Sequence, residues 1–167
     1  MTSDQPFTAD EIRELRTLLD VAKIKKQKDL YSMLMDGRDY EALAQLYAED
    51  AVGEWGAFGT WHGREAIRAE MIKSYEGQAP YAGQHFTTNM WVETTGPTTA
   101  ISRTYLHDVK NDPDPRTNPV IWFAIYDEDW EKIAGDWKIK RSRIHFLWPE
   151  RHVYEGFPRK MTPTPIG

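Results

Sequence analysis

The hydrophobic period changes once along this chain, from helical spacing in the first half to strand alternation in the second, and that switch excludes most folds. Thr8-Ala9-Asp10-Glu11 has capping-box spacing, and Ile12, Leu15, Leu19, Ala22 and Leu30 then recur at helical intervals up to Gly37. The spacing predicts a helix over 8–36, broken or bent near Asp20. A second short helix over 39–47 is opened by an Asp cap and carries Tyr40, Leu43, Ala44 and Tyr47, and a third spans 63–75 with Ala66, Ile67, Met71 and Ile72 inward. Beyond it, 85–94, 98–109, 120–129 and 135–147 are rich in β-branched and aromatic residues. They are separated by Gly96-Pro97, a loop over 111–118, and Ala134-Gly135. These four strands read as an antiparallel meander, and 51–62 adds one or two short strands. Helices first and strands afterwards predict an α+β fold, not parallel βαβ units. The expected organisation is one domain over 1–167, with its core at about 8–147 and a proline-containing C-terminal arm over 148–167 that packs over the domain or a neighbour.

Composition narrows the function. A chain of 167 residues buries roughly 70% of its unfolded surface, enough for a core with an internal cavity. Aromatic residues make up 13% of it, including seven Trp, so something flat and apolar is packed or bound. The net charge is -5 and the basic residues are scattered, which argues against nucleic acid as a partner. The one basic cluster, Lys23, Lys25, Lys26 and Lys28, reads as the solvated side of a helix. With no cysteine, disulfides and thiolate chemistry are excluded. No run approaches the ~18 apolar residues of a membrane span, and the first residues lack an apolar signal core, so a cytoplasmic location is expected and no membrane partner.

The sequence holds no glycine-rich phosphate loop, no Gly-x-Ser-x-Gly elbow and no metal-ligand spacing among His62, His85, His107, His145 and His152. Chemistry must then come from side chains alone, without a metal or other cofactor. Asp36 ends the first helix inside Leu34-Met35-Asp36-Gly37, where a carboxylate meets the negative end of the helix dipole; a residue that breaks a local rule marks a candidate site. His85 opens a strand, and without a bulge it shares a face with Thr87 and Asn89. Asp108 shares its strand face with Leu106 and Thr104. Arg143 shares one with Trp137, Ile139, Arg141 and His145.

Taken together, Tyr31-x4-Asp36-Gly37-x-Asp39-Tyr40, Leu43, Leu46-Tyr47, Asp50-Ala51, Gly63-Arg64-Glu65-Ala66-Ile67 and Gln84-His85-x3-Asn89 resemble the SnoaL-like branch of the nuclear transport factor 2 superfamily over about residues 15–147. The resemblance is nearest to its dehydratases and lyases, among them bile-acid 7-dehydratase, scytalone dehydratase and a diarylpropane lyase that releases formaldehyde. It implies a cone-shaped α+β barrel, with N-terminal helices packed on a curved, mostly antiparallel sheet around a pocket. The site of the bile-acid enzyme has a Tyr five residues before an Asp, a His opening a strand, an Asp after Tyr-Leu-x, and an Arg in the last strand. Tyr31, Asp36, His85, Asp108 and Arg143 fall on that pattern. Trp55, Trp61, Trp91 and Trp122 make this a more aromatic pocket than a steroid needs.

Tyr31 and Asp36 stand roughly 140° apart at 100° per residue, so they converge only if the helix unwinds near Gly37 or the cavity wraps its end. The resulting expectation is acid/base elimination of water or formaldehyde from a hydroxylated aromatic or polycyclic molecule. His85 acts as base, Asp36 orients it, Tyr31 donates to a developing oxyanion, and Asp108 and Arg143 place polar groups. Trp55, Trp61, Asn89, Trp122 and Thr104 are the expected substrate-binding residues. Rival readings are a polyketide cyclase, ketosteroid isomerase or epoxide hydrolase, the last using Asp108 with Arg143, and a non-catalytic binding or assembly domain whose pocket is filled by its own side chains. A homo-oligomer is expected, a trimer by the same resemblance.

Overall fold

The computed structural model describes residues 6–75, 83–110, 116 and 120–148; all of the expected C-terminal arm except Trp148, which ends the last strand, and most of the 111–118 loop lie outside them. Three helices, α1 (Ala9–Asp36), α2 (Tyr40–Ala44) and α3 (Arg64–Tyr75), accompany six strands: β1 (Tyr47–Glu54), β2 (Thr60–His62), β3 (Gly83–Thr94), β4 (Thr99–Lys110), β5 (Val120–Ile133) and β6 (Asp136–Trp148). The strands form one curved, unclosed sheet in the order β2-β1-β6-β5-β4-β3. All neighbours are antiparallel except β1 and β6. The meander is therefore as expected, and 51–62 contributes to two strands, the first of which starts earlier, at Tyr47. No helix among the described residues is long and apolar enough to cross a membrane.

The Thr8 hydroxyl caps α1, accepting from the Glu11 backbone N–H, while the Glu11 carboxylate accepts from Thr8 N–H. The helix runs unbroken through Asp20, the position expected to break or bend it. There the Asp20 carboxylate accepts from Lys132 Nζ at 2.8 Å and Trp137 Nε1 at 3.0 Å, tying the helix to β5 and β6. The buried stripe also differs from the expected one: Leu15, Leu19 and Leu30 are exposed, and Ile24, Lys28, Tyr31, Ser32 and Met35 face the sheet. Only the C-terminal half of α1 presents a stripe to the core. The α2 segment ends at Ala44 because Tyr47 is already the first residue of β1.

Lys28 corrects the reading of the basic cluster. Lys23, Lys25 and Lys26 are exposed, but Lys28 falls between Ile24 and Tyr31 at helical spacing and is 1% exposed. Its ammonium bonds Glu128 Oε1 at 2.7 Å and lies 3.6 Å from the ring centroid of Tyr126 and 4.3 Å from that of Tyr31. Ser102 and Ser142 hydroxyls also donate to Glu128, and Trp130 Nε1 donates to Ser102. Burial pushes the Lys28 ammonium below its ordinary value, and Glu128 opposes that. Breaking a buried pair from one side leaves an uncompensated charge, so Lys28→Met should destabilise the fold by about 3–5 kcal/mol. Adding Glu128→Gln, which keeps an acceptor for the serines, should restore most of it; urea unfolding of the two variants is the measurement.

Candidate functional site

The sheet curls around a cavity of about 130 Å³ near the C-terminal end of α1. An engineered apolar cavity of about 150 Å³ holds one benzene ring, which sets the scale. One wall is aromatic: Trp55 directly follows β1, Phe58 ends the 3-10 turn after it, Trp61 comes from β2, and Trp122 and Phe146 come from β5 and β6. Trp55 and Trp61 rings are 4.5 Å apart, and Trp122 meets Phe146 edge-on at 5.6 Å. The lining also carries the polar groups of Tyr31, Asp36, His85, Asp108 and Tyr126.

His85 and Asp108 are direct cross-strand partners in β3 and β4, so their side chains emerge together on the inner face. The His85 backbone N–H is turned away from that pair and donates to both Asp36 oxygens, at 3.1 and 3.2 Å, while Nδ1 lies 2.7 Å from Asp36 Oδ1. A carboxylate only accepts, so Nδ1 carries the proton and Nε2 is left as the basic nitrogen. Nε2 stands 3.8 Å from Asp108 Oδ2, beyond a hydrogen bond. One carboxylate thus orients the imidazole, and a second waits on its reactive side. Burial raises the Asp108 carboxyl above its ordinary value, a shift that His85 and Lys110 partly offset. Tyr31 and Tyr126 hydroxyls are 3.3 Å apart, and burial raises both phenols, which holds them protonated as donors. Among the described residues no group of three or more His, Asp or Glu is arranged to hold a metal ion.

Of the residues expected from sequence, Tyr31, Asp36, His85, Asp108, Trp55, Trp61 and Trp122 line this cavity. Tyr31 and Asp36 reach it together because the cavity wraps the helix end; Gly37 keeps a right-handed backbone, φ -77°. Arg143 does not reach it. The β5–β6 register skips Lys140, so alternation reverses there: Trp137 and Ile139 point inward, then Ser142, Ile144 and Phe146, and Arg143 turns outward to Glu54 at 3.1 Å. Asn89 is removed by the same device, lying exposed in a β3 bulge with φ 52°, beyond which Trp91 pairs with Arg103 and lies outside the cavity lining. Thr104 shares the inner face of Asp108 but is fully buried in the core and does not touch the cavity.

The sequence reading missed Tyr126, Phe58, Phe146, Arg38 and Lys110. Tyr126 and Lys110 were within reach of strand alternation, four residues from Trp122 and two from Asp108. Arg38 was not: it enters the lining through a left-handed turn, φ 56°, just after α1.

Asp108 has a signed consequence for stability. A carboxyl raised by burial binds its proton more tightly folded than unfolded, so its contribution is fully present below the ordinary value of 3.8 and is lost as pH rises through the folded value. Asp108→Asn should therefore raise the thermal midpoint at pH values above that at which the folded carboxyl ionises, with the gain disappearing below the ordinary carboxylate range. Melting curves across pH check both the sign and the window.

The profile of the SnoaL-like domain matches residues 16–143. No match is found among curated proteins. Among solved structures, a candidate scytalone dehydratase from Novosphingobium aromaticivorans is 24% identical, with TM-score 0.67 over 77% of this chain and 85% of that one. An NTF2-like protein with a cystatin-like fold from the same organism is 22% identical, with TM-score 0.74 over 88% and 92%. A type 2 hexachlorocyclohexane dehydrochlorinase is 19% identical, with TM-score 0.69 over 81% and 90%. These likenesses establish the fold.

Proposed function

This chain belongs to the SnoaL-like domain family, and on that premise we propose that it is a cofactor-independent lyase that eliminates water or formaldehyde from a hydroxylated aromatic compound. The observation that carries the reading is the bracketing of His85, with Asp36 on Nδ1 at 2.7 Å and Asp108 beside Nε2 at 3.8 Å, on the wall of a cavity that Trp55, Trp61, Trp122 and Phe146 also line. In a dehydration Nε2 takes a proton from carbon, and the C–H electron pair becomes the new double bond. The hydroxyl then leaves as water with a proton from Asp108, whose raised carboxyl suits an acid. Asp36 stabilises the imidazolium, and the Tyr31–Tyr126 hydroxyls donate to oxygen charge that develops on the substrate. Release of formaldehyde uses the same base on a hydroxymethyl O–H: the O–H electron pair becomes the C=O bond of formaldehyde, and the C–C pair forms the new double bond as the neighbouring hydroxyl leaves as water with the Asp108 proton. Arg143 has no part in this scheme, and the Asp108–Arg143 pair an epoxide hydrolase would need is separated by the sheet. An assembly domain would fill with its own side chains the space that lies open beside His85.

The test is a panel of hydroxylated aromatics incubated without added cofactor and followed by mass for loss of water or formaldehyde. His85→Ala should lower turnover by about 10²- to 10⁴-fold, and Asp36→Asn should lower it too while keeping the fold. Because the two act as a unit, the double variant should be little slower than His85→Ala alone. Losses that simply multiply, or near-normal turnover in His85→Ala, reject the dyad.

A homotrimer belongs to the same reading. The outer sheet face exposes Phe86, Ile101, Tyr105, Ile121 and Phe123, each by more than a third, and an apolar face of that extent is covered at low cost by a neighbour. Light scattering at micromolar concentration should give a trimer; a stable 19.4 kDa monomer rejects it.

A further inference from the structure

Gly53 lies in β1 directly opposite Trp61 of β2, on the inner face, and is buried. A methyl group on its Cα would stand 1.4 Å from Cζ3 and 1.9 Å from Cη2 of Trp55. The outer edge of the Trp55 six-membered ring therefore lies against the glycine, in space any side chain at 53 would take. The need is spatial and not conformational: Gly53 is absent from the positive-φ glycines Gly56, Gly59, Gly63 and Gly135, so alanine can adopt its backbone. The atoms in conflict are the far end of a ring, so an added methyl moves the ring and leaves the strand in place. Tyr47 and Trp61 pack beside that ring at 6.4 and 4.5 Å, and the space left for it to move into is the cavity it lines.

We propose that Gly53 is a specificity-determining residue: by letting the Trp55 indole lie back on β1 it keeps open the side of the cavity where a planar aromatic ring of the ligand rests. This rests on the cavity being the ligand site, as in the reading above. The residue touches no reacting atom. It acts through Trp55, and its substitution should alter ligand fit while leaving the His85–Asp36 pair intact.

Two readouts separate the inference from that reading. In the protein alone, the far-ultraviolet exciton signal of the close Trp55–Trp61 pair should be lost in Gly53→Ala, as in Trp55→Leu. With 2-naphthol as the probe in calorimetry, Gly53→Ala should bind about tenfold or more weaker than wild type, the scale of a ring forced into packed space. Gly53→Ala with Trp55→Leu should recover much of that binding, because the displaced ring is gone. An unchanged exciton signal, or wild-type affinity in Gly53→Ala, overturns the role of Gly53. A lost exciton signal with no 2-naphthol binding by wild type upholds the ring placement and removes the aromatic-ligand reading. If Gly53→Ala does not fold, recovery of folding in the double variant supports the clash with Trp55, and failure of both variants overturns it.

Discussion

Lys28 and Glu128 meet at 2.7 Å where neither side chain sees solvent, and this pair joins the C-terminal half of α1 to the centre of the sheet. Desolvating two charges is costly, and here the cost is offset by direct attraction, by the Ser102 and Ser142 hydroxyls, and by two tyrosine faces on the ammonium. An apolar contact between helix and sheet tolerates sliding; a hydrogen-bonded ion pair in a low-dielectric interior does not. It therefore fixes both the rotation and the axial position of α1. Tyr31 lies one turn beyond Lys28 and Asp36 two turns beyond it, so their placement at the cavity follows from that anchor.

The far end of the same helix solves a second problem. An edge strand leaves every other backbone N–H without a partner, and β3 is the edge next to α1. Asp36 accepts the exposed N–H of His85 and, with the same carboxylate, the Nδ1 proton of that residue. One side chain thus closes the sheet edge and selects the imidazole tautomer, and the dipole penalty of an acid at a helix C-terminus is outweighed by two donors. The cross-strand pairing of His85 with Asp108 then places the second carboxyl beside the basic nitrogen, at 3.8 Å, without any further device. The Trp55, Phe58 and Trp61 part of the aromatic wall is assembled independently, by a hairpin whose turn needs Gly56 and Gly59 at positive φ and whose strand needs Gly53 for space.

Order of elements, strand count in the meander and the capping of α1 and α2 were legible because they depend on local pattern: period, caps and turn residues act over a few neighbours. Asp36 was legible for a related reason, since a residue that violates the dipole rule stands out against its own helix. His85, Asp108 and the tryptophans could be named by residue type, strand position and family resemblance. Thus the sequence by itself determined the α+β class and most of the cavity wall.

What only the tertiary structure decided was which face each residue takes once register can shift. The skipped residues in β3 and β6 reverse alternation: the reversal in β6 turned Arg143 out of the cavity, and the one in β3 did the same to Asn89 and Trp91. A bulge is set by how two strands pair across the sheet, and neither strand alone carries that information. Lys28 shows the same limit in a helix: its charge reads as solvent-facing until Glu128, one hundred residues away in sequence, is placed opposite it. Local pattern determines elements, while long-range pairing determines partners, because the energy of a buried charge or a bulged strand resides in contacts between segments.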